Sequence, residues 1–217
     1  MKRNVLLVCL ILLFTFGAYA QIEVKSGLIV SGGITGFHKP VPAPLPENHW
    51  MSFQGDKKFD AAVGYKFRLL PYVKPFTLNP LFADLDIQAG YQQVKYGIGG
   101  EMSSEYHYNP DNLPASNRSS FKDNYYRLSL NPMLNCMIYA YWYVGFGVEP
   151  TLYLVSKSES KGSFSAFDIP LTARVGYDFK YVDLSFNYKY GLCDVTDTQY
   201  FTSGKIRRWQ LQLFIPF

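Results

Sequence analysis

Apolar and polar residues alternate with a period of two along eight stretches of this chain. The clearest runs through Phe59, Ala61, Val63, Tyr65, Phe67 and Leu69, with Asp60, Ala62, Gly64, Lys66 and Arg68 between them. Successive side chains of an extended chain point to opposite sides, so this pattern predicts a strand with one greasy and one polar face. The same rhythm marks residues 24–35, 84–92, 125–134, 142–154, 167–177, 182–192 and 209–217. In the last of these Trp209, Leu211, Leu213, Ile215 and Phe217 share a face. Each stretch runs to about 10 residues, the length a tilted strand needs to cross a bilayer.

The connections alternate too. Long polar links are expected at 36–58, 95–124, 156–165 and 196–206, and tighter ones at 70–82, 135–141 and 178–181. Long links at one end and short turns at the other suit an up-and-down barrel that spans a membrane. Link 70–82 is long for a turn, and Pro71, Pro75 and Pro80 argue against a regular ladder there. The pattern gives no role for it. The predicted fold is all-β: an eight-stranded antiparallel up-and-down transmembrane β-barrel. A water-soluble barrel would line its interior with the apolar face instead. Here the other face is rich in Gly, Asp, Lys and Arg, which suits a narrow filled lumen.

Aromatic residues fall near the strand ends. Tyr91, Tyr126, Phe167, Tyr190 and Trp209 are placed at the outer rim, and Phe67, Trp142, Tyr177 and Phe217 at the inner one. Rings with polar handles favour the headgroup level.

The amino end reads as a cleavable export signal. Lys2 and Arg3 precede an apolar run over 5–16, and Ala18-Tyr19-Ala20 has the small-x-small form of a cleavage site. This divides the chain into a signal peptide, 1–20, and a barrel domain, 21–217. Beyond the signal, the longest run without a charge or strongly polar residue, 136–148, is far shorter than the roughly 20 residues a helical span needs. The formal net charge is +4, and Lys2 and Arg3 account for two of these charges, so the balance points to no nucleic-acid partner. Cys136 and Cys193 are expected near opposite rims, unpaired.

Charges inside a narrow barrel have to pair. Lys66 and Arg68 are expected to meet Asp84 and Asp86, and Arg127 to meet Glu149. Arg174 is expected to reach Asp183, and Lys189 to reach Asp168. The main reading is an ionic plug, with a proton or ion path as the alternative. Catalysis has little footing. His38, His49 and His107 all fall in long links, and Ser103, Ser104 and Glu105 near His107 form no fixed constellation. A metal held by His38 and His49 would lack a regular element to set its spacing. No cofactor is expected. The first long link carries the proline-rich 40–46, expected as polyproline II. The second is rich in Tyr and Asn: Tyr106, Tyr108, Asn109, Asn112 and Asn117 to Ser120. Such loops on a rigid scaffold suit protein or glycan contacts, or they merely shield the mouth.

The export signal, the eight alternating segments and the Trp209-to-Phe217 terminus together resemble the outer-membrane β-barrel domain family, including OmpX-like, OmpA-like and PorT-like barrels. The Tyr-rich, Gly-spaced strands look most like the PorT-like members. The resemblance implies residence in a bacterial outer membrane. It implies contact with outer-membrane lipids, and a terminal strand read by the barrel-assembly machinery through Trp209, Leu211, Leu213, Ile215 and Phe217. It leaves three roles open: a structural or adhesive barrel binding an extracellular protein or glycan, an accessory subunit of a secretion or uptake complex, or a lipid-modifying enzyme.

Overall fold

The computed structural model describes residues 21–42, 49–72, 81–102, 118–157, 163–164, 166–197 and 201–217. Eight staves make up the wall. They are β1 (Gln21–Pro42), β2 (His49–Asp56 and Lys58–Tyr72), β3 (Leu81–Met102), β4 (Arg118–Tyr139), β5 (Trp142–Val148 and Thr151–Lys157), β6 (Phe167–Asp168 and Leu171–Asp178), β7 (Asp183–Tyr190) and β8 (Phe201–Pro216). Each is antiparallel to its neighbour in sequence. β8 also pairs with β1, from Gly27 opposite Pro216 to His38 opposite Lys205, and the ring closes. Closure leaves no open edge around the ring, which a sheet in hydrocarbon requires.

The gaps in β5 and β6 are not changes of phase. Val148 and Leu152 stay outward and Glu149 and Thr151 inward across Pro150, which has no N–H to give the ladder. At one end, the turn end, two short hairpins join β4 to β5 and β6 to β7. Ala140 and Lys180 take left-handed conformations there, φ 45° and 74°. The Asp178 carboxylate accepts the Lys180 N–H at 2.7 Å, and the Phe179 N–H donates to Val182 at 2.8 Å. Opposite lies the loop end. Above the main ring a small ladder joins Ser163–Phe164 to Thr196–Asp197.

Several strands are longer than the alternation predicts. The expected link 95–124 is in large part ladder, since β3 pairs with β4 as far as Gly99 opposite Arg118. Likewise 36–58 holds the end of β1 and the first piece of β2, and 196–206 holds the start of β8. Alternation lapses in these segments, yet backbone pairing continues. The link 135–141 shrinks to the tight turn around Ala140 and Tyr141. Pro71 sits within β2 opposite Ile22, and Pro40 and Pro42 lie in β1 rather than in a polyproline segment. Residues 1–20, 43–48, 73–80 and 103–117 are outside the described residues. The export signal, most of the proline-rich stretch, His107 and most of the Tyr- and Asn-rich link fall there.

The burial is inverted relative to a soluble protein. Val63, Leu134 and Phe146 are 60%, 60% and 71% exposed, while Lys66, Asp86 and Lys189 are 0% exposed. Apolar side chains face out around the whole ring and charged ones fill the lumen.

Candidate functional site

The lumen is built from the inward positions of all eight staves and is stacked in layers. At the turn end Phe82, Tyr143 and Phe214 form an aromatic floor, with Phe82 and Tyr143 ring centres 5.3 Å apart. The Arg68 guanidinium lies 4.5 Å from the Phe82 ring centre and 5.3 Å from that of Phe214. A cation over ring faces is favourable where water is excluded. Tyr143 occupies space left by Gly176 across the ladder, and a methyl at Gly176 would fall inside the Tyr143 ring.

Above this floor lies the first charged cluster. Arg68 grips Asp84 with two nitrogens, Nε at 2.8 Å and Nη2 at 3.0 Å, and reaches Asp183 with Nη1 at 2.8 Å. Lys66 sits 3.4 Å from Asp84 and 3.7 Å from Asp86. Arg174 crosses the lumen to Asp84 at 3.0 Å and Asp86 at 2.6 Å, and its Nε donates to Asn187 at 2.6 Å. The Tyr143 hydroxyl donates to Asp183 at 2.5 Å. Gln212 bridges the cluster, donating to Asp86 at 3.1 Å while accepting from Asn187 at 3.1 Å.

The second cluster lies toward the loop end and converges on Glu149. Arg127 approaches it at 3.4 Å and Arg208 at 3.0 Å, and the Lys189 ammonium sits on its other oxygen. Arg127 also donates to Asp60 at 3.0 Å, and the Gln210 amide donates to the same Asp60 oxygen. Beyond it Phe37, Val94, Tyr125, Tyr153, Val195 and Ile206 are buried and mostly apolar. Val195 is carried in by the segment after β7, held by its N–H to Gly204 at 3.0 Å. The charged layers are thus bounded at both ends by apolar or aromatic side chains. Gln88, Asn131 and Asn135 are buried among these layers, and their amides find no partner among the described residues. Buried amides of that kind are satisfied by water.

Two expected pairs differ from the geometry. Arg174 does not pair with Asp183, and Lys189 does not pair with Asp168. In the ladder Arg174 lies opposite Asn187, four residues from Asp183, and a guanidinium spans a narrow lumen more easily than it climbs the wall. Asp183 goes to Arg68 and Tyr143. Asp168 instead accepts backbone N–H groups from Ile169 at 2.8 Å and Cys193 at 2.9 Å. Lys66, Arg68, Asp84, Asp86, Arg127 and Glu149 come together as neighbours in the first and second clusters. Asp60, Tyr143 and Arg208 were missed as cluster members. A signal existed for Arg208: it lies opposite Lys189 in the ladder, and two buried cations side by side demand an acid.

On the outer wall, Tyr91 stacks on Tyr126 at 5.5 Å and Trp209 on Tyr188 at 4.3 Å, while Tyr190 meets the His38 ring at 5.4 Å and Phe167 is exposed. At the turn end Phe67 meets Tyr65 at 5.0 Å and Trp142 meets Tyr177 at 5.1 Å. Tyr139, Tyr141, Phe179 and Tyr181 add exposed rings there, from turns the alternation does not cover. Trp209, Leu211, Ile215 and Phe217 face out, and the Phe217 N–H donates to Ser26 at 2.9 Å. Cys136 and Cys193 are both free thiols. A concavity of about 830 Å³ on the outer wall, lined by Leu28, Val63, Ala89, Leu128 and Leu152, is apolar.

No protein-family model and no curated protein matches the chain. Among solved structures it is similar to Ail, the attachment invasion locus protein of Yersinia pestis, crystallised with the heparin analogue sucrose octasulfate. The identity is 12% and the TM-score 0.42, over 90% of this chain and 99% of that one. Neisserial surface protein A is 13% identical with a TM-score of 0.41, over 91% and 99%. OprG of Pseudomonas aeruginosa is 10% identical with a TM-score of 0.38, over 88% and 94%. At these values nothing about role passes from them to this chain.

Proposed function

We propose that this chain is a non-enzymatic protein of a bacterial outer membrane. Its lumen is sealed, and its loop end presents a surface for an extracellular protein or glycan. The observation that carries the reading is the inverted burial: a closed ring with apolar residues outside and ion-paired charges within. Such a ring is stable where its outer wall meets acyl chains, and in water its exposed apolar belt would drive aggregation. The aromatic floor, the two ionic clusters and the apolar layer near the loop end leave no reason to expect conduction. The β2–β3–β4 sheet continues beyond the ring at the loop end and supplies a raised scaffold for contacts. On this reading residues 1–20 direct export. The outward residues from Trp209 to Phe217 are the signal read by the assembly machinery, and Tyr91, Tyr126, Phe167, Tyr190, Trp209, Phe67, Trp142 and Tyr177 belong to the two interfacial belts.

The test is a folding assay in lipid vesicles. The unboiled protein should migrate faster than the boiled one, and spin labels at Val63, Phe146 and Leu184 should report hydrocarbon. Labels that report water would end the reading. In planar bilayers the protein should give no conductance steps. The PorT-like resemblance supports a second role, as an accessory subunit of a secretion or uptake complex. The raised sheet would suit a partner there, and co-purification of a stoichiometric partner after mild extraction would favour it over the stand-alone barrel.

A further inference from the structure

Strand β7 ends at Tyr190, and the regular stitching on that side of the ring ends with it. The β6–β7 ladder stops at Leu171 opposite Tyr190, and the β7–β8 ladder at Tyr190 opposite Arg207. Beyond this rung β8 runs on beside β1, as far as Phe201 opposite Pro42. The chain after β7 does not follow it as a strand. Among the described residues, 191–195 hold to β8 through the Gly191 N–H on Ile206 at 2.8 Å and the Val195 N–H on Gly204 at 3.0 Å. On the β6 side a carboxylate stands in for the ladder. One Asp168 oxygen accepts both the Ile169 N–H at 2.8 Å and the Cys193 N–H at 2.9 Å, and the Leu192 N–H also faces the group. Thr196 and Asp197 then pair with Phe164 and Ser163.

This strap carries a plug. Val195 is fully buried, while Leu192 and Asp194 before it are exposed. Val195 belongs to the apolar layer near the loop end, together with Tyr153 and Ile206. Ile206 is the next inward position after Arg208 on β8, and Tyr153 follows Glu149 and Thr151 on β5. The layer therefore lies just above the Glu149 cluster. Asp168 differs from the other acids of the lumen. It is 0% exposed, and among the described residues it forms no ion pair; Arg208 and Tyr153 are the charged and titratable side chains that face it. A buried carboxylate bonded to backbone N–H groups fixes the backbone that carries them. Gly191 leaves room for it, since a methyl there would fall 2.5 Å from the second Asp168 oxygen.

We propose that residues 191–197 form a lid over the loop-end cluster and that Asp168 is its latch. With the latch closed, Val195 seals the Glu149 cluster from above. With the latch released, the strap lifts and Arg208, Lys189 and Glu149 meet solvent from the loop end. The aromatic floor of Phe82, Tyr143 and Phe214 still closes the tube. The two seals differ in kind. Each ring of the floor is carried by a strand within a continuous ladder, whereas the plug hangs on a few single hydrogen bonds. Segments held in that way open locally before the fold as a whole does. A ligand at the loop end that prefers the lifted strap shifts the balance toward it.

The experiment reads the reactivity of a thiol placed at the plug. Val195→Cys is made in a chain whose own thiols are removed by Cys136→Ser and Cys193→Ser, and the folded barrel in detergent is treated with a charged methanethiosulfonate. Adding Asp168→Ala should raise the reaction rate on the order of tenfold. Asp168→Asn keeps the acceptor oxygen and should stay within roughly threefold of the parent. A second reporter, Ser185→Cys, replaces a buried residue of the lumen toward the turn end and should remain protected with or without Asp168→Ala. An unchanged rate at 195 in Asp168→Ala overturns the proposal, as does an equal rise in Asp168→Asn. Equal exposure at 185 also overturns it, because the barrel then loosens as a whole. The heat-dependent gel shift checks that each variant folds. If Asp168→Ala does not fold, Gly191→Ala is read in its place, since its methyl presses on the carboxylate. It should raise the rate at 195 alone, and no rise overturns the latch. The rates are read on the folded barrel in detergent, so their failure is distinct from failure of the membrane-spanning reading, which insertion into vesicles tests.

Discussion

The two charged clusters of the lumen solve one problem in different ways. Near the turn end Lys66, Arg68 and Arg174 face Asp84, Asp86 and Asp183, and most of these groups touch more than one opposite charge. Near the loop end Arg127, Lys189 and Arg208 all lean on Glu149, and Asp60 pairs directly with Arg127. Compensation is distributed in the first and concentrated in the second. Breaking a buried pair costs far more than the pair itself contributes, because the remaining charge is left in a poorly solvating place. The second cluster should therefore have one indispensable acid, and the first should not.

Glu149→Gln should be the most damaging single change, lowering unfolding stability by about 3–5 kcal/mol. Asp86→Asn should cost clearly less, because Asp84 still faces Lys66 and Arg174. Urea unfolding in vesicles, followed by tryptophan fluorescence, measures both, and equal losses would erase the contrast. Gly176→Ala comes next. The added methyl falls inside the Tyr143 ring, and overpacking of this kind costs about 1–3 kcal/mol. Combined with Tyr143→Leu the penalty should be less than additive, which a double-mutant cycle reads directly. Tyr143→Phe removes only the bond to Asp183 and should cost about 1.5 kcal/mol, the low end for a hydrogen bond to a charge. Lys25→Gln opens an exposed pair at the turn end and should change stability by no more than about 0.5 kcal/mol.

The sequence carries the wall far better than it carries the interior. On the proposed membrane-spanning reading, alternation is imposed by lipid on one side and lumen on the other, so all eight staves are legible wherever both environments act. It fades at 95–102 and 118–124, where the ladder nevertheless continues, and there Lys95 and Lys122 read as loop residues. Inside, ladder neighbours follow from phase: Lys66 lies opposite Asp86 and Arg68 opposite Asp84. Partners across the lumen do not. Arg174 pairs with the acids of β3 across the lumen rather than with Asp183 of its neighbour β7 because the tube is narrow, and nothing local to residue 174 encodes that. In the sequence Tyr143 is one more position in the alternation of 142–154. Its position depends on the absence of a side chain at Gly176, which is a property of the pair and not of either segment.

The long β3–β4 hairpin has a mechanical consequence. Its rungs run from Leu81 opposite Cys136 to Gly99 opposite Arg118. Tension applied at its far tip travels along the strands, so it loads many backbone bonds at once in shear instead of peeling them one at a time. A tether fixed there would hold against drag without prising open the cylinder beneath.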